Sequence, residues 1–297
     1  MPELPELEIY RERLDELFRG AVVESARLYE PFALRTVEPP LTAIVGARCA
    51  GFRRRGKHLL VDFENAPTVA IHLMLAGRLH RRDAAAFTPH RRRTLLALRF
   101  ADSDLLEMTE AGTTRRARVL VLDPAAPLPG SIDRGREPFD PTLNAPEFAA
   151  LLRRENRQIK NALRDPATLS GIGNAYADEI LWAARLSPLR TTSRLDDAAL
   201  DRLFTSMRES LEQWIETIRR ICAPGTLPVK QDLWRKRMAV HGRTGHACPA
   251  CDSTIAVVSF ADSDTNYCPR CQNGGRLLAD RRLSRLGIRR EPKRLED

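Results

Sequence analysis

The chain has 297 residues, 43% of them hydrophobic, with a formal net charge of +9 and a pI of about 9.7. That length favours two domains with sizeable cores, and the apolar fraction excludes a disordered chain. The basic balance points to an anionic partner, nucleic acid first, although an arginine-rich composition alone would give the same charge; no apolar run approaches the roughly 18 residues of a membrane span, and the acidic N-terminus lacks a signal-peptide core, so the expected location is the cytoplasm, a reducing compartment.

The opening "MPELPELE" reads as a helix start. Pro5 suits the first helical position, and Glu6 and Glu8 suit the positive end of the helix dipole. Leu4, Leu7, Leu14, Leu17 and Phe18 recur at roughly helical spacing. Pro2-Glu3 stand ahead of this helix and are left unexplained by it. Residues 20 to 122 read as strands: a run ending at Gly51-Phe52, a basic turn, then Leu59 to Phe63; "TVAIHLML"; a hairpin around Ala101-Asp102-Ser103-Asp104; and "RARVLVLDP". Many short strands with turn signals predict a sandwich or barrel.

Pro124, Pro127, Pro129, Pro138, Pro141 and Pro146 break regular structure and mark a linker over 123–146. From there to about Cys222 the pattern is helical, with Phe148, Leu151, Leu152, Ile159 and Leu163 on one apolar face. Within it, "LSGIGNAYADEIL" sets Gly171-Ile172-Gly173 before a helix starting near Asn174. Free N–H groups at such a start bind phosphate, and Arg153, Arg154, Arg157 and Lys160 upstream favour that use. The alternative is an ordinary helix corner capped by Asn174.

Cys248-x2-Cys251 and Cys268-x2-Cys271, separated by 16 residues, carry the most specific local signal. Each CxxC lets two thiolates reach one metal, and two such pairs make a closed tetrahedral Zn²⁺ site with a hairpin, "STIAVVSFADSDTNY", as spacer. Four thiolates leave no open position for substrate, so the expected zinc is structural, one per chain. Cys49 and Cys222 stand alone.

Pro2-Glu3 at the N-terminus, "GIGNAYADE" in the helical middle and the four-cysteine ribbon at the end, together with "RRGKHLL", "IHLMLAGRL" and "VHGRTGHACPAC", resemble the formamidopyrimidine-DNA glycosylase / endonuclease VIII family along the whole chain and in the same order. The resemblance implies an α+β chain: an N-terminal β-sandwich domain with an N-terminal helix over 1–122, the linker, a helix-two-turn-helix domain over 147–239, a zinc-ribbon finger over 240–280, and a basic tail over 281–297. It implies a monomer acting on double-stranded DNA that contains damaged bases or abasic sites.

In the family, Met1 is removed and Pro2 is the nucleophile. An α-amine, with a pKa of about 7.7–8.0, is far more often unprotonated at neutral pH than a lysine. Glu3 would protonate the sugar ring oxygen and shuttle protons, and Lys57 would contact phosphate and assist elimination. The apolar wedge that fills the gap behind a flipped nucleotide falls on Leu75, beside Met74; a core strand position is the competing reading. His90 falls on a DNA-contacting histidine, or is a solvated turn residue. Lys160, Gly173 and Asn174 match phosphate-binding positions.

The chain departs from the family's pattern at three places. The zinc-hairpin arginine that grips a phosphate is replaced by Ser263 within "ADSDT", and "TEAGTTRRARV" lacks the aromatic expected beside the opposite base. The segment between "PGTLPVKQDLWRKRMAV" and the ribbon is also short, which argues for oxidised pyrimidines, ring-opened purines or abasic sites. Two alternatives stand beside the glycosylase / AP lyase reading: a damage-binding protein without efficient turnover on the same fold, and a helix-hairpin-helix glycosylase suggested by "GIGNAYA".

Overall fold

The computed structural model describes residues 1–101, 104–112, 114–260 and 263–278. Asp102 and Ser103 of the expected hairpin, Thr113, Ala261 and Asp262, and the basic tail over 281–297 lie outside the described residues. The chain divides into two compact units, Met1–Asp133 with Ile215–Lys230, and Arg134–Trp214 with Gln231–Asp297.

The first unit starts with α1 (Leu4–Phe18), followed by β1 (Val23–Leu28), β2 (Cys49–Arg55), β3 (His58–Phe63), β4 (Ala66–His72), β5 (Gly77–Arg82), β6 (Thr94–Phe100), β7 (Leu105–Glu110) and β8 (Arg118–Leu122). The strands form two antiparallel sheets, β1-β6-β7-β5 and β2-β3-β4-β8. Period-two alternation explains the second sheet. Leu59, Val61, Val69, Ile71, Val119 and Val121 enter the main core with Leu96, Leu98, Phe100 and Met108 of the facing sheet and with Leu7, Tyr10, Leu14 and Phe18 of α1. The residues between them, Leu60, Ala70, Leu120 and Leu122, turn to the other face, where Leu128 and Ile132 cover them. Both faces are thereby buried, which is why these strands read as continuous apolar runs.

In the second unit α2 (Ala145–Arg153), α3 (Ile159–Arg164), α4 (Asn174–Ala183), α5 (Asp197–Ile221, whose residues from Ile215 onward belong to the first unit) and α6 (Asp232–Arg235) precede β9 (Ala256–Ser259), β10 (Asp264–Tyr267) and α7 (Pro269–Asn273). The stretch read as one helical face is broken between α2 and α3. There, Arg157 N–H donates to Thr192 Oγ1, Thr192 Oγ1 donates to the Glu155 carbonyl, and Ser193 Oγ donates to Asn156 Oδ1. These bonds to a segment some 37 residues away draw the backbone out of the helix. Phe148, Leu152, Ile159 and Leu163 are buried as expected, with Phe148 against Phe204 at 5.3 Å between ring centroids.

Candidate active site and zinc centre

The sequence pattern predicts Pro5 at the first helical position; α1 instead starts at Leu4, with Glu3 as its N-cap and Pro5 one place further in. Glu3 and Glu6 form a reciprocal capping box, in which the Glu3 N–H donates to Glu6 Oε2 at 2.9 Å and the Glu3 carboxylate accepts from the Glu6 N–H. Pro2 is buried, and Glu3 is 3% exposed. The helix dipole favours a carboxylate at this end, so Glu3 sits in a pre-formed cap with the buried Pro2 directly before it.

Lys57 stands in the Gly56-Lys57 turn between the paired residues Arg55 and His58. His58 pairs across the sheet with His72, their rings 4.6 Å apart and edge-on. His72 Nδ1 accepts the Met74 N–H at 3.1 Å, which fixes the entry to the β4–β5 turn. In that turn Met74 adopts a φ of 50°, and Gly77 N–H donates to the Leu73 carbonyl; a Cβ at Gly77 would lie 2.2 Å from that oxygen. Leu73 and Leu79 are buried while Leu75 is 65% exposed, so Leu75 is a turn residue rather than a core strand position. His90 is exposed; its N–H donates to Thr94 Oγ1 and its Nδ1 accepts the Arg92 N–H.

Sequence reasoning assigned nothing to His58 and His72, although the "KH" and "IHLM" stretches flank the two residues it did name. Burial, with Arg118, pushes His58 down to about 4. Burial, then the charges of His58, Lys57 and Arg118, pushes His72 down to about 3. An unfolded histidine titrates near 6.5, so on acidification the unfolded chain takes up these protons first. Their contribution is full above about pH 6.5 and is lost as the pH falls towards the folded values. Melting temperatures measured from pH 7 to pH 4.5 should fall across this window, and the His58→Asn/His72→Gln pair should flatten the fall; an unchanged profile would contradict the assignment.

The second unit gathers its groups around α4. Gly173, not Asn174, is the N-cap, and Asn174 is the first helical residue. Asn174 Nδ2 donates to the Asp264 carbonyl at 2.9 Å. Asp178 takes Lys160 Nζ at 2.6 Å and His241 Nδ1 at 2.8 Å. Glu179 accepts the N–H groups of Ala239, Val240 and His241 at 2.8, 2.9 and 2.9 Å; burial pushes its carboxyl up while these donors pull it back. Two adjacent acids in an otherwise apolar helix are the sequence signal that could have pointed to this role. Lys160, expected on a DNA phosphate, is 3% exposed and donates to Asp264 O and Thr265 Oγ1 as well. Drawing this ammonium out towards a phosphate would leave the buried carboxylate without it, at a cost.

The four cysteine Sγ atoms lie within 4.8 Å of one another, with Cys251–Cys268 at 3.4 Å and Cys248–Cys271 at 3.9 Å. Zinc with Zn–S bonds of about 2.3 Å spaces tetrahedral sulfurs ~3.8 Å apart, so the cluster fits one structural zinc. Trp182 Nε1 and the Cys271 N–H are each 3.4 Å from a ligand sulfur, of Cys248 and Cys268 respectively, and would stabilise the thiolate form.

A buried N-terminal cap on a β-sandwich, a glycine-capped helix pair and a four-thiolate ribbon define a zinc-finger protein of the helix-two-turn-helix class. The family models for the formamidopyrimidine-DNA glycosylase N-terminal domain, its H2TH domain, and the zinc finger found in FPG and IleRS match residues 1–119, 134–222 and 245–274. A formamidopyrimidine-DNA glycosylase of Roseiflexus sp. (strain RS-1) is 35% identical over 280 residues, spanning 92% of this chain and 100% of the relative. An uncharacterized formamidopyrimidine-DNA glycosylase-like protein of Mycobacterium tuberculosis is 42% identical over 144 residues, 48% of this chain and 89% of that one. The Lactococcus lactis enzyme, solved non-covalently bound to DNA containing an AP site, superposes with a TM-score of 0.79 at 25% identity, covering 91% of this chain and 99% of that one. The chain belongs to the formamidopyrimidine-DNA glycosylase family, which retires the helix-hairpin-helix alternative.

Proposed function

We propose that this protein is a base-excision-repair DNA glycosylase with AP lyase activity, acting on duplex DNA that carries oxidised bases or abasic sites. The observation that carries the reading is Pro2 set directly before Glu3, the buried N-cap of α1. Once Met1 is removed, the Pro2 secondary amine attacks C1′ of the flipped nucleotide, and the glycosidic bond breaks with its electron pair leaving on the base. The nitrogen lone pair then expels the ring oxygen O4′, which takes a proton as the C1′–O4′ bond breaks, and the iminium so formed acidifies C2′; loss of a C2′ proton expels the 3′ phosphate and nicks the strand. A second elimination would release the 5′ side.

Glu3 delivers a proton to the ring oxygen and later moves protons at C2′. Lys57 holds a phosphate and assists elimination. The exposed Leu75 side chain enters the stack vacated by the flipped base. His90, Gly173 and Asn174 contact the backbone, and the zinc keeps the β9–β10 hairpin in shape.

Borohydride trapping on abasic-site duplex tests the reading. The mature protein should form a covalent adduct, Pro2→Gly should trap poorly, and an uncleaved N-terminal tag should abolish trapping. Equal trapping and cleavage by the tagged protein would refute Pro2 as nucleophile. Tight damage-specific binding without any adduct would favour the non-catalytic alternative.

A further inference from the structure

Ser263 leaves the zinc hairpin without a cation at its turn. The structure brings one there from another element. Arg164, the last residue of α3, donates from Nη1 to Ser263 Oγ at 3.2 Å. Among the described residues this hydroxyl is the guanidinium's partner, and no carboxylate pairs with it. Its basic neighbours are committed: Lys160 to Asp178, Arg157 to Asp165 and Arg153 to Asp197. Asp165, next in sequence, is thus already taken by Arg157 at 2.8 Å.

Both Arg164 and Ser263 are partly exposed, and the two residues after Ser263 are tied to α3 and α4. Lys160 and Asn174 hold the Asp264 carbonyl, and Lys160 also holds Thr265 Oγ1. A favourable interaction with the C-terminal end of α3 would explain a positive residue at this position, but it would not direct the guanidinium to a hairpin hydroxyl. A cation with spare N–H donors, steered by a neutral oxygen that is itself a donor, is suited to a singly charged phosphodiester.

We propose that Arg164, carried on α3 and steered by Ser263, grips a backbone phosphate of the DNA at the zinc hairpin. The proposal rests on the DNA-binding reading above and names a phosphate-contacting residue for it, with Ser263 positioning it. The test is affinity for a duplex with a tetrahydrofuran abasic analogue, measured over a salt series with zinc content and melting temperature in parallel. Arg164→Gln should weaken binding roughly tenfold at low salt and make the slope of log K against log salt shallower by about 0.9, the loss of one phosphate contact. Arg164→Lys should keep the slope with weaker binding, Ser263→Ala should cost a few-fold, and Ser263→Arg in the Arg164→Gln background should restore the slope. Zinc content and melting temperature should stay at wild-type values. An Arg164→Gln protein with the wild-type slope overturns the proposal, as does a loss of zinc or stability without a change of slope. Wild-type protein that shows neither salt-dependent binding nor borohydride trapping would instead overturn the glycosylase reading itself.

Discussion

Glu3→Gln should slow base release roughly 10²–10⁴-fold while leaving α1 in place. The two roles of Glu3 separate because they need different chemistry. As N-cap it needs only an oxygen that accepts the Glu6 N–H, within the box completed by Glu6 Oε2 on the Glu3 N–H. A glutamine carbonyl supplies that oxygen, so the cost to stability should be no more than about 1 kcal/mol. As acid it must give a proton to the sugar ring oxygen, which an amide cannot do. Attack of the Pro2 amine on a ready-made abasic aldehyde does not require base departure, so trapping on abasic DNA should persist. Single-turnover release of an oxidised base, abasic trapping and a thermal melt, run together, decide the matter. Base release within about threefold of wild type would remove Glu3 from the chemistry and leave it a helix cap.

Lys160→Met should destabilise the second unit by roughly 3–5 kcal/mol, the usual cost of stranding one member of a buried ion pair. Asp178 has no exposed side-chain surface and takes Lys160 Nζ at 2.6 Å. The same ammonium ties β10 through Asp264 O and Thr265 Oγ1, so the zinc should be released at lower urea in step with unfolding. Adding Asp178→Asn should recover part of the loss, because it removes a buried charge that has lost its ammonium and keeps only His241 and the Asn266 N–H beside it. Urea titration with a chromogenic zinc chelator reads both events. If Lys160→Met keeps wild-type stability to within ~0.5 kcal/mol and loses DNA affinity instead, Lys160 is the phosphate ligand the sequence reading expected.

Local pattern carried much of this molecule. The short apolar runs of β3, β4 and β8, the paired CxxC turns and the helical pattern of α5 each depend on neighbours close in sequence, so their physics is written locally. The break between α2 and α3 was not legible, because it is made by Thr192 and Ser193, whose hydroxyls compete for backbone and side chains far upstream. His58 and His72 were passed over for the same reason: each looks like an ordinary strand histidine until β3 and β4 pair and bury them.

Lys160 and Arg164 draw the line between the two sources most sharply. By itself the sequence determined a basic helical stretch around Lys160, next to a glycine turn and ahead of a four-thiolate zinc ribbon; that Lys160 and Arg164 share the short helix α3, four residues apart, came from the structure. Which of the two is buried, and which is presented at the surface, only the tertiary structure decided. The choice depends on where Asp178 and the Ser263–Thr265 hairpin come to lie, and the cost of burying a charge is set by those distant partners rather than by anything adjacent in the chain.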